Sequence, residues 1–258
     1  MLIAGPTAAG KTRLAIERAQ ATGAAVVCAD SMQVYSVLDR LTARPGAAEL
    51  AAAPHLLFGY VPPSVRHSAG KWLKDIDKIV TDRVGTGQDL IFVGGTGLYF
   101  EALTIGLSQM PESGGEADTE LRGLLRSMDQ DARRALIEAE DPKMAGRLSG
   151  FDPQRVARAL AVKRATGTSL ADWQDEAGRS PLAGWRIERM VVAPPRAVLR
   201  ERIAARFAAM LEEGAVEEVK ALLALQLDPG LPAMKAIGVR EISAMLDGAL
   251  SRDEAVER

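Results

Sequence analysis

The sequence predicts an α/β fold, with a parallel β-sheet core and an inserted all-helical domain. Apolar runs alternate with helical patterns over residues 1–110, the alternation stops over residues 111–183, and a further apolar run followed by helices appears over residues 184–258. Continuous apolar runs such as residues 24–29 are typical of parallel strands, which are buried on both faces. We therefore predict a core domain formed by residues 1–110 and 184–258, and a helical insert over residues 111–183.

The first strand and helix of this core flank a phosphate-binding motif. Residues 5–12 match the pattern G-x-x-x-x-G-K-[ST] between the apolar run Leu2–Ala4 and a helical pattern from Arg13. In such a loop, backbone N–H groups and the helix N-terminus surround an anion, Lys11 adds a positive charge, and the Thr12 hydroxyl can bind Mg²⁺. The sequence thus predicts a P-loop NTPase-like core that binds a di- or triphosphate through Gly5, Pro6, Thr7, Ala8, Ala9, Gly10, Lys11 and Thr12.

The next two predicted strands end in residues suited to a binding cleft. The run 24–29 leads into Asp30-Ser31-Met32-Gln33, and the run 89–93 leads into Gly94-Gly95-Thr96-Gly97. Since the C-terminal ends of parallel strands face the ligand crevice, we expect Asp30 to share a cleft with Lys11. A helix N-cap or a magnesium ligand is the alternative role for this residue. The adjacent glycines are expected to allow close approach of the backbone to a ligand, with a simple tight turn as the alternative.

Between these strands the sequence predicts a long loop and one amphipathic helix. Six proline and glycine residues interrupt residues 39–66, which are predicted to form a surface loop with a short helix near residues 47–53. Residues 68–84 have apolar residues at helical spacing after Ser68, the predicted N-cap. His55 and His67 have no third ligand near them in the sequence, so we interpret both as structural.

The insert is predicted to contain helices over residues 119–128, 131–140, 142–148, 154–166 and 169–176. Within residues 143–164, one acid, Asp152, stands against the basic residues Lys143, Arg147, Arg155, Arg158, Lys163 and Arg164. In a chain with a net charge of −2, this local excess predicts a surface that meets phosphates. A solvated helix face is the alternative.

The last part of the chain restores the α/β pattern. A fourth strand is predicted at residues 189–193, followed by a helix over residues 196–212 whose apolar stripe is expected to be buried. Arg202 and Arg206 lie four residues apart on another face of this helix, so both could reach one anion. Lys235 and Arg240 bracket a glycine turn.

Composition narrows the class of protein. Apolar residues make up 47% of the chain and charged residues 26%, which is ordinary for a soluble globular protein. No run of about 18 apolar residues predicts a membrane span, and the strand that follows Met1 leaves no room for a signal peptide. The single cysteine, Cys28, excludes an internal disulfide and a cysteine-rich zinc site. We expect a cytoplasmic protein with a buried Cys28.

Taken together, the motifs resemble the bacterial tRNA dimethylallyltransferases, also called tRNA isopentenyltransferases. The phosphate loop alone is shared with many kinases, but the blocks Asp-Ser-Met-Gln and Gly-Gly-Thr-Gly-Leu-Tyr at this separation are far more specific. The resemblance extends along nearly the whole chain and rests on residues 5–12, 29–35, 94–99, 152–160 and 206–214.

The resemblance implies transfer of a dimethylallyl group from dimethylallyl diphosphate to the exocyclic amine of the adenosine beside the tRNA anticodon. It implies that Asp30 accepts the amine proton, that Thr96 contacts the reacting region, and that Arg206 binds the diphosphate with the phosphate loop and Mg²⁺ on Thr12. The insert is implied to bind the anticodon arm. Contacts to tRNA are implied for Asp30, Ser31, Met32, Gln33, Thr96, Arg122, Gln154, Arg155, Val156, Ala157, Arg158, Lys235 and Arg240. We expect a monomer without a stable protein partner or a membrane.

The sequence departs from the family pattern in three places. Residues 39–45 read Asp-Arg-Leu-Thr-Ala-Arg-Pro where the family has Asp-Ile-Gly-Thr-Ala-Lys-Pro, although Thr42 and the cation Arg44 persist. Ala161 stands where a glutamate is frequent. The family usually continues past the position of Arg258 with a basic helical segment; without it, RNA affinity is expected to fall while diphosphate binding survives.

Three other functions stay open on the sequence. A small-molecule kinase resembling shikimate kinase would use Asp30 to orient an alcohol, but the insert is long and basic for a lid. An isopentenyltransferase that acts on free adenine nucleotides is the second alternative, and the basic segment favours RNA over it. A non-enzymatic nucleotide switch is the third; it would not need Asp30 and Arg206 at the phosphate site.

Overall fold

A computed structural model describes residues 1–108 and 116–257; for residues 116 and 117 it describes the backbone only. The chain divides into two compact units. The first unit contains residues 1–104 and 181–258, and the second contains residues 105–180. The predicted insert, residues 111–183, begins and ends later than the second unit.

A parallel five-stranded sheet forms the centre of the first unit. Its strands are β1 Leu2–Ala4, β2 Ala25–Cys28, β3 His55–Leu56, β4 Leu90–Gly94 and β5 Arg189–Val191, in the order β3-β2-β4-β1-β5. The predicted α/β fold with a parallel sheet is confirmed. Strand β3 was predicted as loop, and that prediction is wrong because an edge strand of two residues is too short to give a strand periodicity in the sequence.

The helices lie largely where the sequence predicts them. They are α1 Lys11–Thr22, α2 Ala47–Ala52, α3 Ala69–Arg83, α4 Gly97–Thr104, α5 Glu116–Ser127, α6 Gln130–Glu140, α7 Pro142–Ala145, α8 Pro153–Thr166, α9 Leu170–Asp175, α10 Arg196–Glu212, α11 Ala215–Ala224, α12 Val239–Leu246 and α13 Arg252–Glu257. The Ser68 hydroxyl caps α3 by accepting a hydrogen bond from the Lys71 N–H at 3.3 Å, as predicted. Within the described residues, no helix is long and apolar enough to cross a membrane.

Strands β2 and β4 in the middle of the sheet are buried on both faces, whereas β5 at the edge is largely exposed. Ala15 and Ala19 of α1 pack in a cluster with Ile3, Val26 and other strand residues. Trp72 of α3 is fully buried, its Nε1 donates to the Cys28 carbonyl oxygen at 2.9 Å, and its ring stacks on Tyr99 with 4.3 Å between centroids. Cys28 itself is buried, as predicted, and burial raises the pKa of its thiol.

Helix α10 buries less apolar surface than predicted. Ile203 is 44% exposed, Phe207 and Met210 are half-buried, and Leu211 is buried. The predicted core stripe is therefore wrong for the first half of the helix. The second half packs in a cluster with α11, α12 and the segment that carries Leu38 and Leu41.

The second unit has its own hydrophobic core. Leu125, Ile137, Val156 and Leu160 are buried in one cluster formed by α5 to α9. A buried carboxylate, Asp141, caps α7 and also accepts hydrogen bonds from the Ser169 hydroxyl at 2.7 and 3.0 Å. This unit is all-helical over its described residues, because it has the apolar periodicity of helices and no strand-like run.

Candidate active site

The phosphate-binding motif has the backbone conformation that an anion site needs. Gly10 has φ +91° and stands immediately before α1, so the N-terminus of this helix opens toward the loop. A Cβ at Gly5 would overlap the carbonyl oxygen of Val192, which explains the glycine there. The Lys11 ammonium lies against the loop and donates to the Pro6 carbonyl oxygen at 2.7 Å. Backbone N–H groups, helix N-terminus and lysine are thus in place for phosphate.

A cavity of about 460 Å³ opens at the C-terminal ends of the strands. This volume is within the range of small-molecule sites in proteins. Its walls come from segments that are far apart in the sequence: residues 7–13, Asp30, Gln33, residues 42–44, Glu49, Val93, Gly94, Arg202 and Arg206.

Asp30 lies in the wall of this cavity, together with Lys11 as predicted from the strand order. Its Oδ1 accepts hydrogen bonds from the N–H groups of Met32 at 2.9 Å and Gln33 at 3.3 Å, which closes a turn after β2. Its Oδ2 faces Gly95, 3.7 Å from where a Cβ would be. One carboxylate oxygen therefore holds the turn, and the other is available for chemistry.

Gly94 at the end of β4 and Gly95 after it permit close approach between neighbouring backbone segments. A Cβ at Gly94 would overlap the Ala29 carbonyl, and one at Gly95 would lie 3.5 Å from the Gly5 carbonyl oxygen. The sequence predicted that these glycines let the backbone approach a ligand; in the structure they also let backbone segments of the chain approach one another. Thr96 holds the Asp30 turn from this side: its Oγ1 accepts from the Ser31 N–H at 3.0 Å and donates to the Ser31 hydroxyl at 3.3 Å.

Cations gather in the cavity with little acidic compensation. Burial lowers the pKa of Lys11. The nearby charge of Asp30 raises this pKa, and that of Arg206 lowers it further. Burial also lowers the pKa of Arg206, against an opposing effect of Glu49. Over residues 1–108 and 116–257, Arg206 has no carboxylate within ion-pair distance. Arg202, one helical turn away, approaches the Ala8 carbonyl oxygen at 3.5 Å. Such a site favours a highly charged anion.

Arg44 and Glu49 are among the charged cavity residues that were not predicted for the site. Arg44 forms an ion pair with Asp39 and donates from Nη1 to the Tyr35 carbonyl oxygen at 2.9 Å. The signal in the sequence was that Arg44 keeps a cation of the family pattern in a loop that otherwise departs from that pattern. Glu49 accepts from the Gly46 N–H at 2.9 Å, as part of the cap of α2, and had no signal beyond that cap.

The oxygen donors in the cavity fit a hard cation such as Mg²⁺. The Thr12 hydroxyl and the carboxylates of Asp30 and Glu49 line it, and Mg²⁺ prefers oxygen ligands. Within the described ranges, no group of three or more His, Cys, Asp or Glu residues could hold a metal without other ligands. Mg²⁺ would therefore need phosphate oxygens as partners. His55 and His67 bind the Ala53 carbonyl at 2.7 Å and the Tyr60 hydroxyl at 3.1 Å, in agreement with their structural interpretation.

The predicted tRNA-contacting residues of α8 divide into exposed and buried ones. Gln154 and Arg155 are exposed at its N-terminus, where Asp152 accepts their N–H groups at 3.0 and 3.1 Å. Val156 and Ala157 are fully buried in the core of the second unit, so the prediction that they line an RNA surface is wrong for their side chains. The helical period turns these two positions inward.

Arg122 and Arg158, also predicted to contact tRNA, lie near one acid. Arg122 donates to Asp118 Oδ2 through Nε at 3.1 Å and Nη2 at 2.9 Å. Arg158 is half-buried, and burial lowers its pKa against an opposing effect of Asp118. In the first unit, Lys235 and Arg240 are exposed on either side of Ile237, which is 86% exposed.

The basic excess over residues 143–164 is largely neutralised by acids outside that window. Lys143 forms an ion pair with Asp172, Arg147 with Asp175 at 2.7 Å, and Arg164 with Glu140 at 2.6 Å. The prediction of a broad phosphate-facing surface is therefore wrong for these three residues. The physical reason is that packing of α6, α7, α8 and α9 brings together charges that the sequence separates.

The strand–loop–helix arrangement of residues 2–22 and the parallel sheet define a P-loop α/β protein with a helical second unit. The family model described as IPP transferase matches residues 33–258, and the one described as isopentenyl transferase matches residues 1–57. The chain belongs to the IPP transferase family, which includes the tRNA dimethylallyltransferases.

Several curated and solved relatives support this membership. A tRNA dimethylallyltransferase of Chelativorans sp. is 49% identical over 257 residues, covering 100% of this chain and 88% of the relative. One of Rhizobium etli is 49% identical over 258 residues and 87% of its own length. The crystal structure of a tRNA isopentenylpyrophosphate transferase from Staphylococcus epidermidis matches with TM-score 0.63 and 27% identity, over 99% of this chain and 83% of that one. A eukaryotic dimethylallyltransferase acting on tRNA has the same fold, with TM-score 0.78 and 24% identity, over 100% of this chain and 65% of that one.

Proposed function

We propose that this protein prenylates tRNA: it transfers a dimethylallyl group from dimethylallyl diphosphate to the exocyclic amine of the adenosine beside the anticodon. The observation that carries the proposal is that Asp30, Lys11 and Arg206 line one cavity at the ends of the strands. Family membership and relatives named tRNA dimethylallyltransferase at 49% identity favour this activity over a kinase or a nucleotide switch.

The phosphate loop would hold the leaving group of the reaction. When the allylic C–O bond breaks, negative charge develops on the departing diphosphate. Lys11, Arg206 and the N–H groups at the start of α1 face the cavity and would stabilise that charge. Mg²⁺ bound by the Thr12 hydroxyl together with phosphate oxygens would add positive charge to the same group.

Asp30 would act as the proton acceptor. The exocyclic amine of adenine is a weak nucleophile because its lone pair is delocalised into the ring, so removal of its proton as the new N–C bond forms assists attack. Oδ1 of Asp30 is held by two backbone N–H groups, and this fixes the carboxylate with Oδ2 toward Gly95. Thr96 would support the turn through Ser31, and its contact with the reacting region stays a prediction.

The target adenosine would leave the anticodon-loop stack to reach the cavity, as in other enzymes that modify a base. Ser31, Met32 and Gln33 follow Asp30 and are half-buried, which suits contact with an extruded base. Gln154 and Arg155 of the second unit would contact tRNA, as would Arg122 and Arg158. Lys235 and Arg240 of the first unit would add exposed cations for phosphates.

Labelled dimethylallyl diphosphate, Mg²⁺ and unmodified tRNA, incubated with the protein, test the proposal by incorporation of label into RNA. The expected acceptor is the adenosine beside the anticodon. Replacing the donor by ATP tests the kinase alternative, and replacing tRNA by AMP or ATP tests transfer to free adenine nucleotides. Label in nucleotides without label in tRNA contradicts the proposed acceptor; no prenyl transfer to either acceptor contradicts the proposed chemistry.

A further inference from the structure

The segment of residues 38–44 forms part of the cavity wall, yet its anchor lies on a helix far away in the sequence. We call it the wall loop. Glu218 of α11 binds two consecutive N–H groups of this loop: its Oε1 accepts from Arg40 at 2.7 Å and its Oε2 from Leu41 at 3.1 Å. Both oxygens of one half-buried carboxylate are thus used on the backbone of the loop. Hydrogen bonds to a charged acceptor are among the stronger ones in proteins.

Hydrogen bonds within the wall loop close a short turn that connects residues 40 and 41 to the residues that line the cavity. The N–H of Ala43 donates to the Arg40 carbonyl at 2.8 Å, and that of Arg44 donates to the Asp39 carbonyl at 2.9 Å. Ala43 has φ +49°, an uncommon conformation for a residue with a side chain. Thr42, Ala43 and Arg44 line the cavity. The Arg44 guanidinium pairs with Asp39 of the same loop and donates to the Tyr35 carbonyl oxygen at 2.9 Å. Its place at the cavity therefore depends on where the wall loop is held.

A second contact ties the same turn to the Asp30 side of the cavity. Nε2 of Gln33 donates to the carbonyl oxygens of Thr42 at 2.9 Å and Ala43 at 3.0 Å. Gln33 is also one of the two residues whose N–H groups bind Asp30. The wall loop thus lies between Glu218 on α11 and the turn that positions the carboxylate of Asp30.

We propose that Glu218 is a positioning residue for the reaction: its carboxylate fixes the wall loop and thereby places the Arg44 guanidinium against the diphosphate of the donor. This inference rests on the proposed prenyl transfer for its kinetic consequence, but not for the binding and exchange measurements below. Arg44 would then act beside Lys11 and Arg206 as a third cation for the leaving group.

The electrostatic surroundings agree with this role. Burial lowers the pKa of Arg44. The charge of Glu218 raises it, and Cys28 raises it to a smaller extent. The carboxylate of Glu218 thus helps to keep a half-buried guanidinium favourable next to other cations. Glu213 makes a weaker contact with the same loop, an ion pair of 3.5 Å to the side chain of Arg40. Because that contact involves a side chain, it does not fix the backbone of residues 40 and 41.

Glu218→Gln tests the proposal, with Glu217→Gln as the matched control. Glutamine keeps the size of the side chain but can accept at only one oxygen, so one loop N–H loses its acceptor. Glu217 is adjacent, exposed and paired with Lys220 at 3.0 Å, and it makes no contact with the wall loop among the contacts of the described residues. Three quantities are compared in both variants and the unmodified protein: amide hydrogen exchange of residues 40 and 41, affinity for inorganic pyrophosphate with Mg²⁺, and the KM and kcat for dimethylallyl diphosphate.

For Glu218→Gln we expect faster exchange at residues 40 and 41, about tenfold weaker pyrophosphate binding and a similar rise in the KM of the donor. The melting temperatures of both variants are measured to establish that each is folded at the assay temperature. A double variant with Arg44→Gln should bind pyrophosphate no worse than Arg44→Gln does, because both changes remove the same contact. Pyrophosphate affinity equal to that of Glu217→Gln, or additive losses in the double variant, would overturn the proposal. If the unmodified protein fails to prenylate tRNA, only the kinetic comparison is lost, and exchange and pyrophosphate binding still decide the role of Glu218.

Discussion

Lys11, Arg202 and Arg206 meet around one cavity, whereas Lys143, Arg147 and Arg164 each face an acid of a neighbouring helix. Both groups are clusters of cations, and their surroundings differ. In the cavity the helix N-terminus meets these three basic side chains together with Arg13 and Arg44, and Asp30 and Glu49 are the acids in the wall. In the second unit each of the three cations is matched by a carboxylate.

The difference shows which cations are available to a ligand. An exposed ion pair contributes roughly 0–1 kcal/mol to stability and leaves little charge for a partner. The cavity cations lose hydration through burial, which lowers the pKa values of both Lys11 and Arg206, and the charge of Arg206 lowers the pKa of Lys11 further. That unfavourable arrangement becomes favourable when an anion binds, so the cavity has the electrostatics of a functional site.

The largest effect is expected for Asp30→Asn. Asparagine keeps an oxygen to accept the N–H groups of Met32 and Gln33, but its amide does not accept a proton from the adenine amine. Transfer to tRNA should fall by roughly 10²–10⁴, with pyrophosphate affinity little changed. Asp30→Ala should lose the turn as well and weaken both. Retained turnover in Asp30→Asn would remove Asp30 as the proton acceptor.

Arg206→Ala should have the next largest effect. Loss of this cation removes stabilisation of the charge that develops on the diphosphate, and kcat/KM for the donor should fall by about 10²–10³. Arg200→Ala is the matched control, because Arg200 is exposed on the same helix and does not line the cavity. Equal kinetics for the two variants would place Arg206 outside the reaction.

The lowered pKa of Lys11 predicts a pH dependence of anion binding. A lysine with a lowered pKa loses its proton at a lower pH than an exposed lysine, so pyrophosphate affinity should fall as the pH rises through that value. The loss should reach about tenfold at the alkaline end. Lys11→Arg keeps the charge over the whole range and should flatten the profile, while the titration of pyrophosphate itself is common to both proteins. Parallel profiles would show that Lys11 does not bind the anion.

The comparison between paired and exposed cations of α8 gives the smallest expected effect. Arg155→Ala should weaken tRNA binding about fivefold at physiological salt and reduce the slope of log affinity against log salt by about 0.9, the value for one phosphate contact. Arg164→Ala removes a cation that is already bound to Glu140 and should leave tRNA affinity unchanged. Equal losses in the two variants would mean that pairing does not decide which cations meet RNA.

Local sequence patterns were sufficient where neighbours in the chain make the structure. The phosphate loop, the cap of α3 by Ser68 and the start of α8 after Asp152 all depend on residues within a few positions of one another. The shared edge of β1, β2 and β4 also followed from parallel strand order, and it placed Asp30 in the cavity with Lys11. Burial of Val156 and Ala157 could have been found from the helical period of α8, which the motif match obscured.

The class of fold, the phosphate loop and the candidate carboxylate could be predicted from the sequence, because short-range geometry and apolar periodicity encode them. Which cations keep their charge for a ligand, and how the wall loop is held, became known from the packing of the helices and strands. Glu218 and Arg40 are 178 positions apart, and Arg147 and Asp175 are 28 apart. Hydrogen bonds and ion pairs act over a few ångströms in space, so their partners become known only once the helices and strands have packed.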